Sequence, residues 1–474
     1  MELETFVSHF DPRVEDPHAL RQLSRRGFLG GLIGSAALGS ALLSFGTRAR
    51  AATPVSSIGQ LQPGAAPDNE RYWEGVASQF LLRKGVAYMN TGTRGPSPRS
   101  VQKAQIDALH GVNADYFAFT KSTYNKDFVA MLRGKLATFV GAKPSEIAFA
   151  CNTTEGMIFG TFGLEMHAGD EIVYTNHDHP SGGNPILLRA AREKLVPRVI
   201  DLSERKFHPP KSSDEILKAF EAALTPKTKL LSFCHINYTD GCVLPVKEIC
   251  ALARAKGIVT LVDGAQPPGM MKLDIHDLGC DMYAAPCHKW LLASMYTGFF
   301  YVREELLDRI WPTMYVGAVN GKTMYGAPPP ATMAEACQGA AKFEYHGSLD
   351  FPPKFSVNAA LDFHNQLTPA AIEARDRYLA QRLRKGLRTI DGVELYTSDD
   401  PQLSCAMVAF TLKGIATTAL VDMLWNRHGI YIRNVTHEEI GWDVNRASLH
   451  IMVTAKQVDT LIGAIAEISQ KGSL

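Results

Sequence analysis

"KLLSFCHINYTDGCVLPVKEICALARAKGIVTLVDGAQ", Lys229–Gln266, decides the fold. It opens on a short apolar run, KLLSFCHI (229–236), of strand length and strand composition. PVKEICALARAKG (245–257) then carries apolar residues at helical spacing, starts on proline and stops at Gly257. IVTLVD (258–263) is again strand-like and ends on an acid. Strand, helix and strand in so short a span make a βαβ unit, which implies parallel strands covered by helices.

The same alternation extends outward. EIAFA (146–150) reads as a strand and TEGMIFGTFGLEM (154–166) as a helix. DEIVYT (170–175) is a strand, NPILLRAAREKL (184–195) a helix, and DMYAAPCHKW (281–290) closes another strand. The fold class is therefore α/β with a mostly parallel sheet. Past residue 351 the pattern changes. Helical YLAQRLRKGLRTI is followed by strand-like AMVAFTL, helical TTALVDMLWNRHG, and strand-like IYIRNV and ASLHIMV. The last helix sets Val458, Leu461, Ile462, Ile465 and Ile468 on one face. This is a smaller α+β domain.

The N-terminus is of another kind. SRRGFLGGLIGSAALGSALLSFGTRARA (24–51) pairs Arg25 and Arg26, continues through a weakly apolar Gly/Ala run, and ends Ala49-Arg50-Ala51. That is the pattern of a twin-arginine export signal cleaved before Ala52, and its apolar run is short for a membrane span. The expected organisation is a signal at 1–51, a linker at 52–70, an N-terminal segment at 71–95 near the active site, a large domain at 96–350 and a small domain at 351–474. Such a chain passes through the twin-arginine translocase already folded and works in the periplasm, without a stable membrane span. The eight cysteines are scattered without a C-x-x-C pair, so most read as buried thiols. Basic and acidic residues number 49 and 48, which leaves no footprint for nucleic acid.

In open α/β sheets ligands bind beyond the carboxyl ends of the strands. After EIAFA come Asn152, Thr153 and Thr154 at a helix start, which suits a phosphate or simply caps the helix. After DEIVYT come His177 and His179, readable as a ring plate, as metal ligands or as loop histidines; no second ligand cluster accompanies them, and no metal is expected. After IVTLV comes Asp263, costly at the end of an apolar strand unless paired, with Gln266 on the turn. His288 and Lys289 end the next strand. A lysine there needs a use for its amine.

These signals in this order resemble the class V aminotransferase family of fold-type I pyridoxal-phosphate (PLP) enzymes. The matching segments are YMNTGTRGPSP, NTTEG, NHDHPSG, HINYTDGCVLPVKEI, LVDGAQPPG, CHKWLLASMYTGFFYV, FEYHGSLDFPP and NRASLHIMVT. The resemblance implies a large domain with a mostly parallel seven-stranded sheet, a smaller C-terminal domain, PLP as cofactor and a homodimer. It assigns Lys289 to the Schiff base with the cofactor, Asp263 to the pyridine nitrogen, His177 to stacking on the ring (with His179 as competitor) and Gln266 to the ring hydroxyl. Thr154 and His288 would hold the phosphate, with Thr153 or Tyr238 helping. Ser348 would reach the phosphate of the partner subunit. Arg446 would grip the substrate carboxylate, and Asn90 and Thr93 of the first matching segment would also bind the substrate. One departure is plain: where many relatives carry a phosphate-binding Ser or Thr before the lysine, this chain has Pro286 and Cys287.

Desulfurases of this family need a mobile cysteine between the positions of Ile432 and Arg446, and none occurs there. The segments look closest to isopenicillin N epimerase-like proteins. Together with the export signal they resemble the periplasmic PLP enzymes of pyoverdine maturation, which modify the glutamate side chain of the siderophore peptide. An aminotransferase or epimerase of a free amino acid or small peptide is the alternative expectation.

Overall fold

Consecutive apolar residues along the strands face opposite layers, which is why these strands read as unbroken hydrophobic runs. Leu230, Leu261 and Phe300 pack in one layer, and their neighbours Leu231, Val262 and Phe299 in the other. Each such side chain, taken fully from water, contributes about 1.5–3 kcal/mol. A computed structural model describes residues 65–471, except 205, 211, 315–338, 345, 346 and 348 and the side chain of Glu439. All of them belong to the compact unit Gly59–Leu474. The expected export signal, most of the linker, and Ser348 lie outside the described residues.

The large sheet comprises β1 (Ile147–Ala150), β2 (Glu171–Thr175), β3 (Val196–Ile200), β4 (Thr228–Cys234), β5 (Val259–Asp263), β6 (Met282–Pro286) and β7 (Gly298–Val302). Their spatial order is β1-β7-β6-β5-β4-β2-β3. The strands run parallel apart from β7, which is antiparallel to both neighbours. Among the described residues, helices of eight or more residues are α1 (Glu70–Ala77), α2 (Arg99–Ala114), α3 (Lys126–Val140), α4 (Thr153–Gly163), α5 (Pro180–Glu193), α6 (Ser213–Ala223), α7 (Val246–Ala255), α8 (Pro352–Leu367), α9 (Pro369–Leu387), α10 (Thr417–His428) and α11 (Ala455–Lys471). The second sheet is antiparallel, with β8 (Val393–Leu395), β9 (Met407–Leu412), β10 (Arg433–His437) and β11 (Trp442–Ser448) in the order β10-β11-β9-β8.

The expected α/β architecture is present, with local differences. β3 shows no clear strand pattern in sequence because it is an edge strand that is largely exposed and carries Pro197. IYIRNV divides: Ile430 and Tyr431 pair in parallel with Ala87 and Tyr88, and β10 begins at Arg433. The expected strand ASLHIMV ends at Ser448. There the backbone turns to carry His450 inward, where it meets Asp376 (2.7 Å) and the carbonyl of Trp290 (3.0 Å). α8 was not visible as a separate helix; its Val357, Ala360 and Leu361 join the core beneath the large sheet. No helix among the described residues is long and apolar enough to cross a membrane.

Candidate active site

The carboxyl ends of β4, β5 and β6 and the N-terminus of α4 open onto a cleft of about 390 Å³. Asp263, the last residue of β5, and Lys289, three residues past β6, both line it. Asp263 is 4% exposed, and its Oδ1 accepts the Ala265 N–H (2.9 Å). Burial raises its pKa, and the nearby Lys289 charge opposes that rise. Burial lowers Lys289 to about 8, with Asp263 acting in the opposite sense. The pair thus holds an amine that is partly free near neutral pH.

The backbone around Lys289 is tightly clasped. Gly95 donates its N–H to the His288 carbonyl (3.0 Å), and a Cβ on Gly95 would lie 1.9 Å from the Lys289 carbonyl oxygen. The Trp290 carbonyl accepts from two buried rings, His364 and His450, each at 3.0 Å. The Trp290 indole donates to Gln266 Oε1 (2.8 Å), which fixes that side chain in the cleft wall.

On the anion side, Asn152 caps α4 by accepting the Glu155 N–H at 2.9 Å. Asn152, Thr153 and Thr154 line the cleft at this positive helix end. Cys287 does not take part: it is fully buried, its N–H bonds the Thr297 carbonyl (2.9 Å), and burial drives its thiol up to about 12. His288 lines the cleft, and burial, then Lys289, lower it to about 4. Its Nδ1 faces the Thr297 carbonyl (3.3 Å). A neutral ring holding its proton there can donate from Nε2 to an oxyanion only after gaining a second proton.

The two histidines after β2 separate. His177, expected on the cofactor ring, is fully buried outside the cleft. Its Nδ1 meets Thr239 Oγ1 (2.8 Å), and its ring packs on His208 (4.4 Å) and Trp442 (5.0 Å). His179 lines the cleft instead, edge to face with Tyr238 at 4.9 Å. Its Nδ1 accepts the Ser181 N–H (3.1 Å), and burial lowers its pKa to about 4, so the ring presented is neutral. The structure therefore places His179, and not the expected His177, in the cleft. The reason is that position 177 follows the β2 end too closely, and the turn through Asp178 sends its side chain into the protein. Asp178 Oδ2 and Oδ1 take the N–H groups of Thr175 and Cys234, both at 2.8 Å. Both Asp178 oxygens are thereby engaged, and no cluster of three metal-ligating side chains occurs among the described residues.

The opposite wall comes from the β10–β11 hairpin and the 90–93 turn. Arg446 is 1% exposed, and burial, then Arg433, lower it to about 9. It donates to the Tyr238 carbonyl and, more loosely, to Asn90 Oδ1 and Thr93 Oγ1 (3.4 Å each). Arg433 stands directly opposite in the β10–β11 register and reaches the same Thr93 hydroxyl at 3.1 Å. Neither arginine is paired with a carboxylate among the described residues. Sequence reading missed Arg433; the signal was there, two arginines on facing strands of one hairpin, but facing positions appear only once the register is known.

Comparisons with known proteins agree with this geometry. Residues 96–461 match the family Aminotransferase class-V. The chain is similar to isopenicillin N epimerase of Streptomyces clavuligerus, 33% identical over 397 residues, with 83% of this chain and 97% of that protein covered. It is similar to a probable cysteine desulfurase of Methanothermobacter thermautotrophicus, 27% identical, with 84% and 98% covered. Among solved structures it resembles a C-DES variant with glycine covalently linked to its PLP cofactor: TM-score 0.72, 27% identity, 82% and 98% covered.

The residues present fit that cofactor. A depressed lysine amine, a buried carboxylate with a single N–H partner, a neutral imidazole and a positive helix end at the cleft suit an aldehyde, a pyridinium, an aromatic ring and a phosphate in turn. The chain belongs to the class V aminotransferase family and, with it, is a PLP-dependent enzyme.

Proposed function

We propose that this enzyme acts at the Cα of an amino-acid group whose carboxylate is held by Arg446, by epimerase- or aminotransferase-type chemistry. The observation that carries this reading is a buried guanidinium, without an acid partner among the described residues, on the same cleft as Lys289. Bound PLP supplies an aldehyde that condenses with amines and a ring that draws electron density from Cα. Lys289 would anchor it, Asp263 would hold the proton on the ring nitrogen, His179 would lie against the ring and Gln266 would meet its hydroxyl. Thr153 and Thr154 would hold the phosphate, joined by His288 once the dianion beside it draws a second proton onto Nε2. Once its Nζ is free, Lys289 takes the Cα proton and returns it. Arg446, cationic at neutral pH, fixes the carboxylate so that the Cα–H bond is presented to that amine.

Desulfurase chemistry is disfavoured. The β10–β11 hairpin contains no cysteine, and Cys405 is buried with its Sγ on the Gly241 carbonyl (3.3 Å) and raised to about 11. Cys234 lines the cleft, but burial and then Asp178 push its thiol well up, which disfavours the nucleophilic thiolate.

The paired arginines and Ala-x-Ala site at 25–51 support work in the periplasm after twin-arginine export, and there the glutamate side chain of a secreted siderophore peptide of the pyoverdine kind is the proposed substrate. A homodimer is part of the same proposal; the exposed Met295 and Tyr296 at the mouth of the cleft support a covering subunit. Peptide profiling of a deletion strain tests it. Accumulation of a peptide with an unprocessed amino-acid side chain is expected; an unchanged profile in cells that normally make the enzyme would refute the siderophore role.

A further inference from the structure

Two guanidinium groups stand side by side on one wall of the cleft, with no counter-charge paired to either among the described residues. Like charges directly opposite on paired strands repel, so the arrangement costs stability unless something anionic enters. The two are not equivalent. Arg446 is sealed in the floor, with its Nη atoms committed to Tyr238, Asn90 and Thr93. Arg433 is exposed at the mouth and spends one bond, on Thr93 Oγ1. Its remaining donors stay open to the cleft that it lines. Thr93 lies between them, and its hydroxyl donates to Asn90 Oδ1 (2.9 Å). One carboxylate balances one guanidinium and leaves a second cation at the entrance.

We infer that the substrate carries two carboxylates, and that Arg433 binds the second one, on the side chain, while Arg446 holds the first. Arg433 is then a specificity residue for dicarboxylic amino-acid groups. This rests on the proposal that the cleft processes amino acids, but it makes its own claim: an acid and its isosteric amide are told apart at position 433.

The test uses the PLP-loaded enzyme with L-glutamate and L-glutamine as probes, and reads the change in the cofactor's visible absorption as each is titrated in. Glutamate is expected to bind more tightly than glutamine in the wild-type protein. Arg433→Met is expected to weaken glutamate on the order of 10- to 100-fold, the range for one charged hydrogen-bonded contact, and to leave glutamine nearly unchanged. Arg433→Lys keeps the charge and should retain part of the preference. Position 433 is exposed, so these variants leave the core intact, and an unaltered spectrum before titration verifies that. Equal loss for both amino acids would mean that the two arginines share one carboxylate, and would overturn the inference while sparing the proposed function. Equal binding of both by the wild-type protein would overturn it in the same way. No spectral response to either amino acid or to L-alanine would overturn the proposed function, and the inference with it.

Discussion

The two walls of the cleft solve opposite electrostatic problems. On the strand-end wall, burial moves groups toward neutrality: Lys289 falls to about 8, His179 and His288 to about 4, and Asp263 rises. On the hairpin wall, Arg446 keeps its charge even after burial lowers it to about 9, and Arg433 stands beside it. Groups poised between two protonation states can move protons, while groups that stay charged can only bind. The difference assigns chemistry to the first wall and recognition to the second.

That division can be broken most directly at its reactive end. Lys289→Ala removes anchor and proton carrier together, and turnover should fall about 10⁴-fold or more, with loss of the visible absorption of bound cofactor. Retained turnover would place the chemistry elsewhere. Arg446→Lys keeps a charge but loses the planar fork, and should lower kcat/KM about 100-fold while the cofactor spectrum stays unchanged. A comparable loss of cofactor binding would erase the boundary between the walls.

The two histidines sharpen the comparison at smaller scale. His179→Ala should weaken cofactor binding by about tenfold, measured by dialysis against graded PLP, as expected for a lost ring contact. His177→Ala removes a side chain buried among Thr239, His208 and Trp442, and should lower Tm with little change in cofactor affinity. The opposite outcome would return the ring plate to position 177. The pH dependence probes the same wall through a rate. Burial favours the uncharged Lys289 amine, so the rate at which PLP attaches to the apoprotein should rise about tenfold per unit up to pH near 8 and then level off. A rise continuing to the ordinary lysine pKa of 10.5 would show that the amine is not desolvated.

How far the sequence could be read follows the same division. Lys289 and Asp263 were legible because each ends an apolar strand with a group that burial penalises, so local composition alone marks them. The parallel sheet was legible from Lys229–Gln266 because one βαβ unit constrains strand direction. His177 against His179 was not, since both follow the same strand and the choice depends on how Asp178 turns the backbone onto Thr175 and Cys234. Arg433 was hidden for a longer-range reason: it matters by facing Arg446 across a hairpin, and pairing register is not a property of either segment alone.

The account stands on a covalent attachment at one amine. Borohydride reduction of purified, PLP-loaded protein, followed by peptide mass spectrometry, reads that attachment directly. The phosphopyridoxyl mass is expected on the peptide that contains Lys289 and to be absent from Lys289→Ala. A well-folded protein that retains its cofactor but carries the label on another lysine, or carries none, would contradict it.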